Sequence, residues 1–303
     1  MSGEERVIRI GICDYDTSAS SFLELSMCAD ALGFDSVWIG EHLMLPMAYD
    51  STHPISDSVQ HHTGPIISPE THLLDPWALL GGVATRTSRV LLATGIYLLP
   101  LRHPLLTARA AATLAELSGG RFRLGVGAGW LREEFDALDI PFEQRFSRTE
   151  ETLEILRAAW SGGTVTHDGD HFQIDSVQVC DEAVQVPIVL GGNSLPALRR
   201  AARLGDGWMS SGTPTFEEAL VLRDQLVALR DATGFTGEFP LYFRIERPDP
   251  SLVEKYEREG FTNLLFWADQ VSKGADDDLR TNLAALANDL GIEPPLVAEH
   301  EES

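Results

Sequence analysis

Two hydrophobic patterns take turns along the chain. Short apolar runs without alternation stand at Ile8–Ile12, Ser36–Ile39, Val90–Ala93, Leu124–Val126, Val186–Leu190, Gly207–Met209, Leu241–Ile245 and Asn263–Trp267. Such runs predict strands covered on both faces, as in a parallel sheet. Between them the apolar residues keep helical spacing. Ser21 with Glu24 predicts a capping box, with Leu25, Cys28, Ala29 and Leu32 on one face and Gly33 as the stop. Asp75-Pro76 opens a helix through Ala84, and Pro104 opens one with Leu106, Ala110, Thr113, Leu114 and Leu117 as its stripe. Pro141 divides Leu131–Leu138 from a helix that Ser147 and Glu150 are expected to cap, with Leu153, Leu156 and Trp160 inside. Helical patterns recur through Leu198–Gly205, Phe216–Ala232, Ser251–Glu259 and Leu279–Leu290.

Eight strands alternating with eight helices predict an α/β fold, a TIM-type (β/α)8 barrel formed by one domain over residues 1–293. Two excursions interrupt it, after strands two and four. The first is Leu43–Leu73, rich in Pro, Ser and His, read as a lid. The second is a hairpin of Thr164–His167 and His171–Ile174. Residues 294–303 read as a flexible acidic tail. An open doubly wound sheet is the alternative, but no GxGxxG follows the first strand.

Composition narrows the class. The 303 residues are 44% hydrophobic and 23% charged, ordinary for a soluble protein with ample core. Basic residues number 23 and acidic ones 46, and the net charge of −23 disfavours nucleic acid and anionic membranes as partners. Lys255 and Lys273 are the only lysines, so a phosphate would be held by backbone N–H groups, hydroxyls or arginine. Three cysteines without CxxC spacing predict reduced thiols and a cytoplasmic protein. No signal-peptide pattern or membrane-spanning apolar run is read.

In such a barrel the chemistry belongs at the carboxyl ends of the strands. In order these ends read Asp14, Glu41-His42, Thr94-Gly95-Ile96, Gly127-Ala128-Gly129-Trp130, Gly191-Gly192-Asn193-Ser194, Ser210–Thr213, Arg244–Arg247 and Trp267–Asp269. The glycines suggest a ligand lying against the backbone. No HxH closes the first strand, and the loop histidines His53, His61, His62 and His72 lack ligand spacing, so no metal is expected. Gly191–Ser194 fits either a phosphate seat at a helix N-terminus or a tight turn with Ser194 as the cap. His42 suits proton transfer near neutrality.

The runs SGGRFRLGVGAGWLREEF (118–135) and GGNSLPALRRAARLGDGW (191–208), with Trp38–His42 and Gly95–Pro104, carry a resemblance. The chain resembles the luciferase-like monooxygenase superfamily, and most closely its coenzyme F420 (deazaflavin)-dependent oxidoreductase branch. The resemblance implies F420 as cofactor, with FMN as the alternative, a small-molecule substrate and a homodimer. It implies hydride transfer, with FMN-dependent monooxygenation or a non-catalytic flavin-binding role as alternatives. It implies a cis peptide between Gly95 and Ile96 that backs the ring, with Thr94 beside it. It also implies Gly127–Trp130 as a wall, Gly191–Ser194 as the phosphate seat, His42 as the catalytic group and Glu41 as its orienter or a ring contact. Trp130 departs from sugar-phosphate dehydrogenase members, which carry a glutamate there, so their reaction is not implied.

Overall fold

A computed structural model describes residues 8–53, 67–271 and 278–295. The barrel strands are β1 (Arg9–Asp14), β2 (Ser36–Ile39), β3 (Leu91–Thr94), β5 (Phe122–Gly127), β8 (Ile188–Gly191), β9 (Gly207–Met209), β10 (Leu241–Arg244) and β11 (Asn263–Trp267). Each pairs in parallel with the next around the ring. Leu92 beside Phe122 and Arg9 beside Asn263 are among the pairs that close it. The short β4 (Tyr97–Leu98) pairs with β5 beyond the end of β3. The hairpin after the fourth barrel strand is β6 (Thr164–Asp168) against β7 (Gln173–Gln178). The closed eight-stranded barrel is the expected one. Among the described residues, no helix is long and apolar enough to cross a membrane.

Nine helices among the described residues complete the chain: α1 (Ala19–Leu32), α2 (Pro76–Ala84), α3 (Pro104–Leu117), α4 (Arg132–Asp136), α5 (Arg145–Trp160), α6 (Leu195–Leu204), α7 (Phe216–Asp231), α8 (Pro250–Arg258) and α9 (Leu279–Asp289). Their starts follow side-chain caps. Asp75, Ser194, Asp249 and Asp278 each accept a backbone N–H of the first turn, and Thr215 with Glu218 makes a capping box.

Three local expectations differ from the structure. Ser18, not Ser21, caps α1, one turn earlier than the Ser21–Glu24 spacing suggests. Helix α5 grows out of a 3-10 turn at Phe142–Gln144, which makes a side-chain cap at Ser147 unnecessary. Glu150 instead pairs with Arg200 and Arg203. In α3 the buried face is Ala108, Ala111, Ala112, Leu114 and Ala115, while Leu106 and Leu117 are exposed. Small residues let α3 pack closely against its neighbours, so methyl groups win over leucines there.

Most buried apolar residues lie between the strands and the helical shell. A second cluster fills the barrel interior: Cys13, Trp38, Ala93, Val189, Met209, Tyr242 and Leu265. Trp38 and Tyr242 meet there with ring centres 4.8 Å apart. This plug closes the barrel below and leaves the strand ends as the floor of a cavity.

Candidate active site

A cavity of about 810 Å³ opens at the carboxyl ends of the strands. It gathers Glu41, His42, Gly95, Ile96, Gly127–Trp130 and Gly191–Ser194, which are far apart in sequence. Thr94 does not line it. Its side chain is fully buried and its hydroxyl donates to the Gly125 carbonyl at 2.6 Å, so it braces β3 against β5.

The Gly95–Ile96 peptide is cis. The Ile96 side chain lies over the ends of β5 and β8. A Cβ at position 127 would overlap Ile96 Cδ1, and one at 191 would come within 3.3 Å of Ile96 Cγ2. Bare backbone at Gly127 and Gly191 therefore leaves room for Ile96 and lets the floor stay flat. Gly192, at φ +119°, turns the chain into α6.

His42 is buried, and its Nδ1 is 2.9 Å from Glu134 Oε2. Glu134, fully buried on α4, also accepts the Leu43 N–H at 2.6 Å through Oε1. The imidazole packs edge-on against Trp130 and Tyr15, with ring centres 5.7 and 6.3 Å away. Glu41 is not its partner. The Glu41 carboxylate accepts from Leu98 N at 2.8 Å and from both terminal nitrogens of Arg102. Burial raises its pKa while the Arg102 guanidinium pulls it down. Glu41 lines the cavity as a neutralised anchor that ties β2 to β4.

Glu133, next to Glu134, accepts from Asp50 N at 2.9 Å and Ser51 Oγ at 2.7 Å. The two acids of α4 thus fasten the loop after β2 over the cavity, and Trp130 meets Tyr49 and His53 of that loop edge-on. Residues 54–66 of the expected lid, His61 and His62 with them, and residues 296–303 of the expected tail lie outside the described residues. Among the described residues no three His, Cys, Asp or Glu side chains gather as for a metal.

On the far side, Ser194 caps α6 by accepting the Ala197 N–H at 3.4 Å. Asn193 exchanges two hydrogen bonds of 2.8 Å with the backbone of Ser211, locking the loop after β8 to that after β9. Ser211, Gly212 and Thr213 join the lining. Arg244, at the end of β10, faces the cavity between β9 and β11. Its Nη2 donates to the Ser210 carbonyl at 3.1 Å, its guanidinium lies 4.7 Å from the Trp267 ring centre, and no carboxylate among the described residues pairs with it. Burial lowers its pKa and pushes the neighbouring Cys13 thiol up to about 12. Glu134 and Arg244 were missed as site residues in the sequence. Arg244 stood at a strand end, whereas Glu134 is linked to His42 only through the fold.

These features define a (β/α)8-barrel protein whose site is built at the carboxyl ends of its strands. The chain belongs to the luciferase-like monooxygenase family, whose model matches residues 11–240. The F420-dependent glucose-6-phosphate dehydrogenase of Nakamurella multipartita is 31% identical over 305 residues, which cover 94% of this chain and 80% of that one. Among solved structures, an F420-dependent secondary alcohol dehydrogenase in complex with an F420-acetone adduct is 20% identical with a TM-score of 0.63, over 95% of this chain and 84% of that one. A monooxygenase from Streptomyces bottropensis is 24% identical with a TM-score of 0.63, over 94% and 80%. The two structural likenesses speak for the fold.

Proposed function

We propose that the chain is an oxidoreductase that binds coenzyme F420 and transfers hydride between it and a small organic substrate. One observation carries this reading: a single cavity has glycine backbone and Ile96 on one side and the buried His42–Glu134 pair on another. The glycines that make room for Ile96 keep the floor flat, which suits a flat tricycle. Gly95, Ile96 and Gly127–Trp130 would hold the ring. Gly191–Ser194 and Ser211–Thr213 would hold the phosphate, at the positive end of α6. The F420-dependent dehydrogenase among the relatives supports the choice of cofactor.

When bound, the deazaflavin supplies a two-electron hydride acceptor or donor. His42 moves the proton. With Nδ1 engaged by Glu134, Nε2 is the nitrogen offered to a substrate hydroxyl, taking its proton on oxidation and returning it on reduction. Glu134 fixes the imidazole's orientation and steadies its charged form. Trp130, with the loop after β2, walls the site from water. Arg244 offers positive charge to an oxygen of the substrate.

The second reading, an FMN-dependent monooxygenase, is supported by the family to which the chain belongs and by the features a flavin shares with a deazaflavin. Titration of the protein with each cofactor separates them, read by fluorescence and by the rise in melting temperature. Binding of F420 at least about 10-fold tighter than FMN is expected, a difference of about 1.4 kcal/mol. The reverse order, with rapid reoxidation of the bound reduced cofactor by oxygen, overturns the reading.

A further inference from the structure

Arg244 carries a buried positive charge at the end of β10, and no acid among the described residues balances it. Its side chain lines the cavity, with the Ser210 carbonyl as its one acceptor among those residues. The Nε–H is buried with no hydrogen-bond partner there. The titratable group that acts on its charge is the Cys13 thiol, which burial holds protonated. A buried guanidinium without a counter-charge is costly to the fold, and a bound anion removes that cost.

The same arc of the mouth holds a second buried donor. The Tyr15 hydroxyl, just past the end of β1, has no hydrogen-bond partner among the described residues. Around the ring the strands run β2, β1, β11, β10. His42 therefore stands at one end of this arc and Arg244 at the other, with Tyr15 and Trp267 between them. Three strand spacings, on the order of 14 Å measured along the sheet, separate β2 from β10. A group held by Arg244 is then not on the carbon that faces His42.

The charge offered on this arc is a single one. Arg132, Arg145 and Arg200 reach the cavity from α4, α5 and α6, which follow β5 and β8 on the other side of the ring. Lys255 lies on α8, paired with Glu217. One planar carboxylate matches one guanidinium in charge and in shape, whereas a phosphate dianion keeps half its charge uncompensated. Tyr15, Trp267 and Trp130 give the arc aromatic walls, which suit an apolar body.

The geometry points to a monocarboxylic acid as the substrate. Its carboxylate sits on Arg244, and its reacting carbon–oxygen group lies several bonds away, at His42. This rests on the hydride-transfer reading above. Oxidation of such a hydroxy acid sends the hydride to the deazaflavin and the hydroxyl proton to His42, and leaves an oxo acid.

The test titrates the full-length protein with three probes of similar shape: hexanoate, hexanamide and pentyl phosphate. Calorimetry gives Kd for wild type, Arg244→Gln and Arg244→Lys, and F420 and FMN are titrated into each protein alongside. Wild type is expected to bind hexanoate at least about 10-fold more tightly than either other probe. That preference outlasts a rise from about 0.05 to 0.5 M salt, because a buried pair is weakly screened. R244Q removes it and R244K keeps part of it. Both variants bind F420 within about 2-fold of wild type, which also reports an intact fold. Equal Kd for hexanoate and hexanamide in wild type overturns the inference and leaves the cofactor reading standing. A preference that R244Q leaves unchanged, or tighter binding of pentyl phosphate, overturns it as well. Equal weakening of hexanoate and F420 in R244Q makes Arg244 a cofactor contact and also overturns it. A hexanoate preference in a protein that binds neither F420 nor FMN overturns the cofactor reading and keeps the acid site.

Discussion

His42 Nδ1 and Glu134 Oε2 stand 2.9 Å apart although 92 positions separate them in sequence. The same carboxylate receives the Leu43 N–H, so one buried acid holds both the imidazole and the first residue of the loop that follows it. The orientation of the imidazole and the placement of the loop are therefore coupled through α4.

Removing that acid is expected to act on stability and turnover together. Glu134→Ala leaves a buried N–H without an acceptor and should cost about 3 kcal/mol in urea unfolding. Glu134→Gln keeps the shape and should cost less, while kcat drops about 10- to 100-fold. His42→Ala should lower kcat by about 10²–10⁴ with the cofactor Kd within about 3-fold. Unchanged turnover in H42A removes the assignment.

Gly127→Ala places a methyl group on Ile96 Cδ1. The expected cost is about 1–3 kcal/mol, with weaker cofactor binding, because the Ile96 side chain that lines the cavity must shift. Ile96→Val deletes the clashing atom. The double variant should therefore lose less than the two single variants together, in melting temperature and in Kd alike. Strict additivity would show that the two positions do not touch.

Burial pushes the Asp14 carboxyl up to about 6, against the hydrogen bonds from Tyr15 N–H and Thr17. The folded pKa thus lies above the unfolded value of about 3.9, so the folded state holds the proton more tightly. The carboxylate then costs stability above pH 6, and the cost fades below about pH 4. Asp14→Asn should be more stable than wild type by roughly 2–3 kcal/mol at pH 8 and equal to it near pH 4. Thermal melts at pH 8, 6 and 4 check the trend. A gap that grows toward low pH contradicts it.

Arg121 belongs to the run that carries the family likeness, yet it stands at the amino end of β5, away from the cavity. Its guanidinium donates to the carbonyls of Ser118, Val90, Ala84 and Thr87 and to the Thr87 hydroxyl, at 2.8–3.0 Å. Arg121→Met should cost about 2–4 kcal/mol in chemical denaturation by orphaning those acceptors. Cofactor Kd should stay within about 2-fold of wild type.

Where a feature depends on neighbours in sequence, the amino acids showed it plainly. Strands β2, β9 and β11 and helix α2 follow the runs that predict them, because a both-faces-buried strand leaves an unbroken apolar mark and Asp75-Pro76 is a strong helix start. The glycine strand ends were legible for the same reason. Caps were harder to read. Ser18, Ser20 and Ser21 crowd one turn, and only the path of the chain chooses among them. The face of α3 was misread because alanine gives a weak hydrophobic signal beside leucine, although close packing favours it. Glu134 was out of reach, since two adjacent acids on a short helix look like solvent-facing charge until the barrel brings His42 to them. Thr94 borders the glycine kink in sequence, but its hydroxyl is engaged by the Gly125 carbonyl, a contact that only the fold creates.

Around the mouth of the barrel, the ends of β3, β5 and β8 bring glycines (Gly95, Gly127, Gly129, Gly191 and Gly192), whereas Tyr15, Glu41, His42, Arg244 and Trp267 come from the ends of β1, β2, β10 and β11. Main chain offers the same donors, acceptors and contours whatever residues are exchanged elsewhere. The glycines are the exception. At Gly127 a single methyl group meets Ile96, so this semicircle accepts change only where a neighbouring side chain can give way.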